Sequence, residues 1–140
     1  MVELISSIKV PNSWKELVEL KSILPICVPG VARLPEDLRF YRIYKELVPK
    51  EIRLEIIKTL IGDKNICLLQ NNFPYTRLLQ NLPKVKHYCL WSRKYKLTPK
   101  TIEKEIKKNF PENEFFYFEN IEAVKSVPEI WHCQIFVRLD

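Results

Sequence analysis

Two histidines occur in the 140-residue sequence, His87 and His132, and both fall in short β-branched or aromatic runs, Val85 to Ser92 and Ile130 to Leu139. Histidine is the side chain that changes charge near neutral pH. A pair on neighbouring strands could share a proton, act as acid and base, or hold a phosphate when protonated. Period-two alternation puts His87, Cys89 and Trp91 on one face of the first strand, with Tyr88, Leu90 and Ser92 on the other. In the last strand His132, Gln134, Phe136 and Arg138 share a face opposite Trp131, Cys133, Ile135, Val137 and Leu139. The second set is wholly apolar and must face the core.

Two arrangements follow. If Tyr88 and Leu90 also point to the core, His87, Trp91, His132 and Gln134 line one open face, with two imidazoles, a stacking surface and an amide. If Cys89 and Trp91 point to the core with Trp131 and Cys133, the histidines lie on opposite sides and no site forms. Parity makes the two mutually exclusive unless a bulge intervenes.

In the first arrangement His87 and His132 would be acid and base, and Trp91 would stack a ring. Lys125 and Ser126, just before the last strand, would bring a cation and a hydroxyl to an anionic group, and Arg93 ends the other strand. Asn72, Pro74 and Tyr75 form a rigid turn that could wall a pocket. Each residue also has an ordinary reading, as a core histidine bonded to a backbone carbonyl, loop polarity or a plain turn. No metal or other cofactor is expected. Neither strand adds an Asp or Glu to the two histidines, short of the three protein ligands of a catalytic zinc. Two-histidine phosphodiesterases carry a hydroxyl residue two positions after each histidine, where this chain has Cys89 and Gln134. No glycine-rich phosphate loop, nucleophile elbow or paired-carboxylate motif is present.

The elements that must position these residues are those of one domain spanning 1–140. With 46% hydrophobic and 29% charged residues the chain can bury a core without disulfides or metal. Ser13 and Glu16 form a capping box that starts a first helix, which Pro25 and Pro29-Gly30 stop. Pro35 opens a second helix with Leu34, Leu38, Tyr41 and Val48 as its stripe. Pro49 starts a third, Lys50 to Ile61, carrying Ile52, Ile56, Ile57 and Leu60, with Gly62 as C-cap. Four strands follow, Asn65 to Gln70, Val85 to Ser92, Phe115 to Glu119 and Ile130 to Leu139, interrupted by a helix that Thr98-Pro99 caps and Ile102, Ile106 and Phe110 anchor. The plan is α+β, with N-terminal helices packed on a small, mostly antiparallel four-stranded sheet and one further helix.

Cys27, Cys67, Cys89 and Cys133 lack metal-ligand spacing and read as buried thiols. No apolar stretch reaches the roughly 20 residues of a membrane span, and Met1 to Val10 has no signal-peptide pattern, so a cytoplasmic or nuclear protein without a membrane partner is expected. The net charge of +6 is concentrated between Lys84 and Lys108. That patch would attract phosphate or an acidic surface, yet no nucleic-acid-binding motif accompanies it, so nucleic acid stands as a partner on charge alone.

Several of these residues occur in one order: Arg33-Leu34-Pro35-Glu36-Asp37-Leu38-Arg39 leading to Tyr41 and Tyr44; Asn72-Phe73-Pro74-Tyr75; His87 through Trp91-Ser92; Asn120; Lys125-Ser126-Val127; and Trp131-His132. This set resembles the fungal N-acetylglucosamine-induced protein family, a domain of unknown function also seen in other eukaryotes and viruses. The resemblance runs from about Arg33 to Val137. Phe73 replaces a tryptophan that usually precedes Pro-Tyr, and the segment between the third helix and first strand is shorter. The resemblance implies an intracellular protein, brings no established reaction, and favours the arrangement with both histidines on one face. The expectation is therefore a binder of a small polar or phosphorylated molecule around His87, Trp91, His132 and Gln134. The alternative is an adaptor whose basic helix from Pro99 to Phe110 contacts an acidic protein or nucleic acid.

Overall fold

The computed structural model describes residues 8–26, 29–122, 125 and 127–139. Ser13 accepts from the Glu16 N–H at 3.2 Å and starts α1, Trp14–Glu19. This helix is shorter than its stripe predicts, and a 3-10 turn over Leu24–Ile26 carries the chain to Pro25. The Pro25 to Pro35 connection also holds one helical turn, α2, Pro29–Ala32. Proline at the first helical position opens α3, Pro35–Leu47, and Gly62, at φ 65°, closes α4, Lys50–Ile61. The remaining order is β1 (Ile66–Gln70), a short α5 (Thr76–Leu79), β2 (Val85–Ser92), α6 (Pro99–Asn109), β3 (Phe115–Phe118) and β4 (Trp131–Arg138).

The sheet has strand order β1-β2-β4-β3 and every pairing is antiparallel, as an α+β plan requires. Helices cover both faces. On one, Ile102 and Ile106 of α6 pack on Leu90, Cys133, Ile135 and Val137, the apolar face expected of β4. The other face is not open as expected: α1, α2, α4 and α5 lie over it in two separate apolar clusters, and α3 sets the rings of Tyr41 and Tyr44 on Phe73. One joins Leu17, Leu24, Leu78 and Tyr75 to Phe116, Phe118 and Phe136; the other joins Ile57 and Ile61 of α4 to Cys67, Cys89 and Trp91.

The inward row of α4 is also corrected. Ile52, Ile56 and Leu60 are exposed, whereas Arg53, Leu54, Ile57 and Ile61 turn inward. With apolar residues around more than half of the helix, periodicity alone does not select the buried face. Cys67, Cys89 and Cys133 are buried free thiols, and Cys27 lies outside the described residues. No helix among the described residues is long and apolar enough to cross a membrane.

Phe136 is fully buried and meets the rings of Tyr75, His87, Phe116 and Phe118. Phe136→Ala is expected to cost about 3–5 kcal/mol in urea denaturation; a loss below about 1 kcal/mol would contradict this placement.

Candidate functional site

Directly opposed residues of antiparallel strands share a face, and the register pairs His87 with Phe136, Cys89 with Gln134 and Trp91 with His132. Both histidines therefore rise from the same face, with Trp91 and Gln134 beside them, and no bulge interrupts the β2–β4 ladder. They are not close neighbours. Four positions of register separate them, roughly 13 Å along the strands, with Gln134 between.

His87 is 2% exposed and uses both ring nitrogens. Nδ1 accepts from the Tyr75 N–H at 3.2 Å, so Nε2 carries the proton and donates to Gln134 Oε1 at 2.6 Å. Burial pulls its pKa from the ordinary 6.5 to about 3, with Arg33 adding in the same direction against the hydrogen bond to Gln134. Gln134 Oε1 also accepts from Asn71 Nδ2 at 3.2 Å and from the Cys89 thiol at 3.3 Å. Burial pushes that thiol up to about 12, so it stays protonated and donates. The carbonyl of Gln134 is thus filled from behind, and its Nε2 has no partner among the described residues.

In front of Gln134 lies a cavity of about 250 Å³. Cys89, Trp91, His132 and Gln134 form its floor; Arg33 just before α3, Tyr41 and Tyr44 of α3 and Phe73 of the turn after β1 give one wall; α4 gives the other through Arg53, Ile56, Ile57 and Leu60. The interval between the two apolar clusters is this cavity. His132 donates from Nδ1 to the Ile130 carbonyl at 2.9 Å and stacks on Trp91 at 4.2 Å, leaving Nε2 as an unprotonated acceptor without a partner among the described residues. Burial holds its pKa below the usual value.

Several expected assignments are corrected by this geometry. His87 stands behind the floor and does not line the cavity, so it orients Gln134 and has no nitrogen free to exchange a proton with a ligand. Lys125 lines the cavity, but Nζ is taken by Glu119 at 2.8 Å and Glu122 at 3.1 Å, so it is a neutralised cation. Arg93 is exposed and borders a separate groove beside Leu54, Lys58 and Glu129. Ser126 lies outside the described residues. Asn72 and Tyr75 do line the cavity. The asparagine that fixes the turn is Asn71, whose Oδ1 accepts from the Phe73 N–H at 2.8 Å.

Composition and periodicity did not single out Arg33, Arg53 and Asn120. Arg33 is 7% exposed; its Nε donates to the Phe73 carbonyl at 3.0 Å and its guanidinium lies 4.1 Å from the Tyr41 ring centre, with both Nη groups unpartnered among the described residues. Arg53 Nε and Nη1 are buried with no hydrogen-bond partner among the described residues. Glu129, whose carboxyl senses Arg53, is paired with Lys50 at 3.0 Å. Asn120 Nδ2 donates to the Tyr75 hydroxyl at 3.3 Å, and its buried Oδ1 has no partner among the described residues. The available signal for Arg53 was its i, i+4 relation to Ile57, a charge on a row that turned out to face inward; for Arg33 and Asn120 only their place in the family-like motifs marked them.

No protein-family model matches the chain, and no curated protein matches it. Among solved structures, the crystal structure of HTC1 is similar with a TM-score of 0.66 and 15% identity, over 91% of this chain and 85% of that one. At that identity the likeness shows the α+β fold alone.

The unfolded chain protonates His87 below 6.5 and the folded ring only near 3, so its contribution to stability is complete above 6.5 and declines as the pH falls. The decline approaches about 1.4 kcal/mol per pH unit, and His132 adds to it in the same direction. Urea midpoints measured from pH 7.5 to 5, above the range where ordinary carboxylates titrate, should fall steadily; a flat profile would mean that the rings are not buried neutral.

Proposed function

We propose that the cavity binds a small anionic molecule, the phosphorylated class being the best fit. The observation that carries this reading is Arg53: two guanidinium donor atoms, buried without an acceptor among the described residues, on a side chain that lines a cavity which Arg33 also lines and to which no described Asp or Glu contributes. A buried donor left unmade costs about 1–3 kcal/mol, more when charged, and an oxyanion supplies the missing acceptors in the fork geometry guanidinium favours. The volume lies near the small end of ligand pockets, which begin at roughly 300 Å³, so the ligand is a single small molecule. Trp91, Tyr41, Tyr44 and Phe73 add ring surfaces for its uncharged part.

Residues from each stretch that resembles the N-acetylglucosamine-induced family border the cavity, among them Arg33, Tyr75, Trp91, Asn120 and His132. That convergence supports membership of the family and reads its shared residues as one ligand site. The lysines Lys100, Lys104 and Lys107 of α6, on which an adaptor would depend, are exposed on the far side of the sheet.

Thermal-shift measurements with phosphate, sugar phosphates and nucleoside monophosphates test the reading. A binder held at a hundred times its Kd adds about 2.7 kcal/mol. Arg53→Met should abolish that stabilisation, and charge reversal at Lys100, Lys104 and Lys107 should leave it intact. Absence of any shift across the anions, or loss of it only in the α6 variant, would refute the binding site.

A further inference from the structure

The polar groups of the cavity are sorted by charge. The cations with unpartnered donors, Arg33 and Arg53, stand on the two walls, whereas the floor and the end of β3 present three neutral groups. Gln134 offers one donor, Nε2, in an amide that cannot rotate because three donors hold its oxygen. His132 offers one acceptor, Nε2, because its other nitrogen is bonded to the Ile130 carbonyl. Asn120, 8% exposed, offers a second acceptor, Oδ1, buried and without a partner. Asn120 lies two residues beyond Phe118, which pairs with Gln134, and it lines the same cavity as Gln134 and His132. All three residues line the cavity, and together they are its neutral edge, two acceptor groups and one donor group.

From this we propose, resting on the anion-binding reading above, that the ligand is a phosphate monoester whose uncharged end lies on the floor and presents hydrogen-bond donors to Asn120 and His132 and an acceptor to Gln134. Hydroxyls of a sugar phosphate and the amino-bearing edge of a nucleobase in a nucleoside monophosphate both have this chemistry. The same edge discriminates against a second phosphate at the far end. An anion there meets two acceptor atoms and one neutral amide donor, while Lys125, a cation of the same lining, is held by Glu119 and Glu122. Buried acceptors left unpaired by a ligand lacking donors impose a penalty that a cavity of this kind uses for selection.

The test is titration calorimetry on the whole chain with four probes: inorganic phosphate, a hexose monophosphate, a nucleoside monophosphate and a hexose bisphosphate. At least one monoester should bind ten-fold or more tightly than inorganic phosphate and than the bisphosphate, and which monoester does so separates the two sources. Asn120→Leu, and independently His132→Phe, which keeps a ring stacked on Trp91, should each lower the monoester-to-phosphate affinity ratio at least five-fold. If both monoesters bind no better than inorganic phosphate, or the bisphosphate binds as well, the neutral-edge inference fails while the anion site stands. If inorganic phosphate and all three esters fail to bind, the anion site itself is wrong and the inference falls with it.

Discussion

A single side-chain carbonyl, that of Gln134, accepts from His87, Asn71 and Cys89 in the middle of a sheet face that is apolar at both ends. Placing an amide there is costly unless its oxygen is satisfied, and satisfying it requires β2 and β4 in the observed register and the chain after β1 turned so that Asn71 and the Tyr75 N–H reach the same ring and amide. A slip of one residue would carry His87 and Cys89 to the other face and leave Gln134 unpaired. The polar node therefore specifies pairing and keeps an interval between the two apolar clusters, where the cavity lies.

The cations of the molecule show two conditions side by side. Lys125 is almost wholly buried and fully answered by Glu119 and Glu122, with Lys96 adding a longer contact to Glu119. Arg33 is answered in part, by the Phe73 carbonyl and the rings of Tyr41 and Tyr75. Arg53 has two buried donor atoms and no acceptor for them among the described residues. Natural interiors rarely leave charged donors in that state, and the contrast with Lys125 in the same lining is why the arginine pair is read as addressed to a ligand.

Much of this was legible in residue order. The alternation in Val85–Ser92 and Trp131–Arg138 placed both strands, and the unbroken apolar set of Trp131, Cys133, Ile135 and Val137 identified the face that α6 covers. Parity reduced the site to two arrangements but did not choose between them, because Cys89 and Trp91 are as apolar as Leu90. The roof over the site was not legible. Isoleucine and leucine at 52, 54, 56, 57, 60 and 61 leave α4 without a unique stripe, so the inward turn of Arg53 depends on packing across the sheet. Likewise Asn71, adjacent to Asn72, controls the turn through an oxygen whose direction only the strand end determines.

β4 is the latest of the four strands in the sequence, yet it lies between β2 and β3 and carries Gln134 and His132. During synthesis β1 and β2 can pair with each other, but β3 stays unpaired until β4 arrives. Closure by so distant a segment makes assembly dependent on long-range contacts and cooperative in a single late step. A nascent chain halted before Trp131 would thus hold an incomplete sheet and a cavity lining that lacks His132 and Gln134.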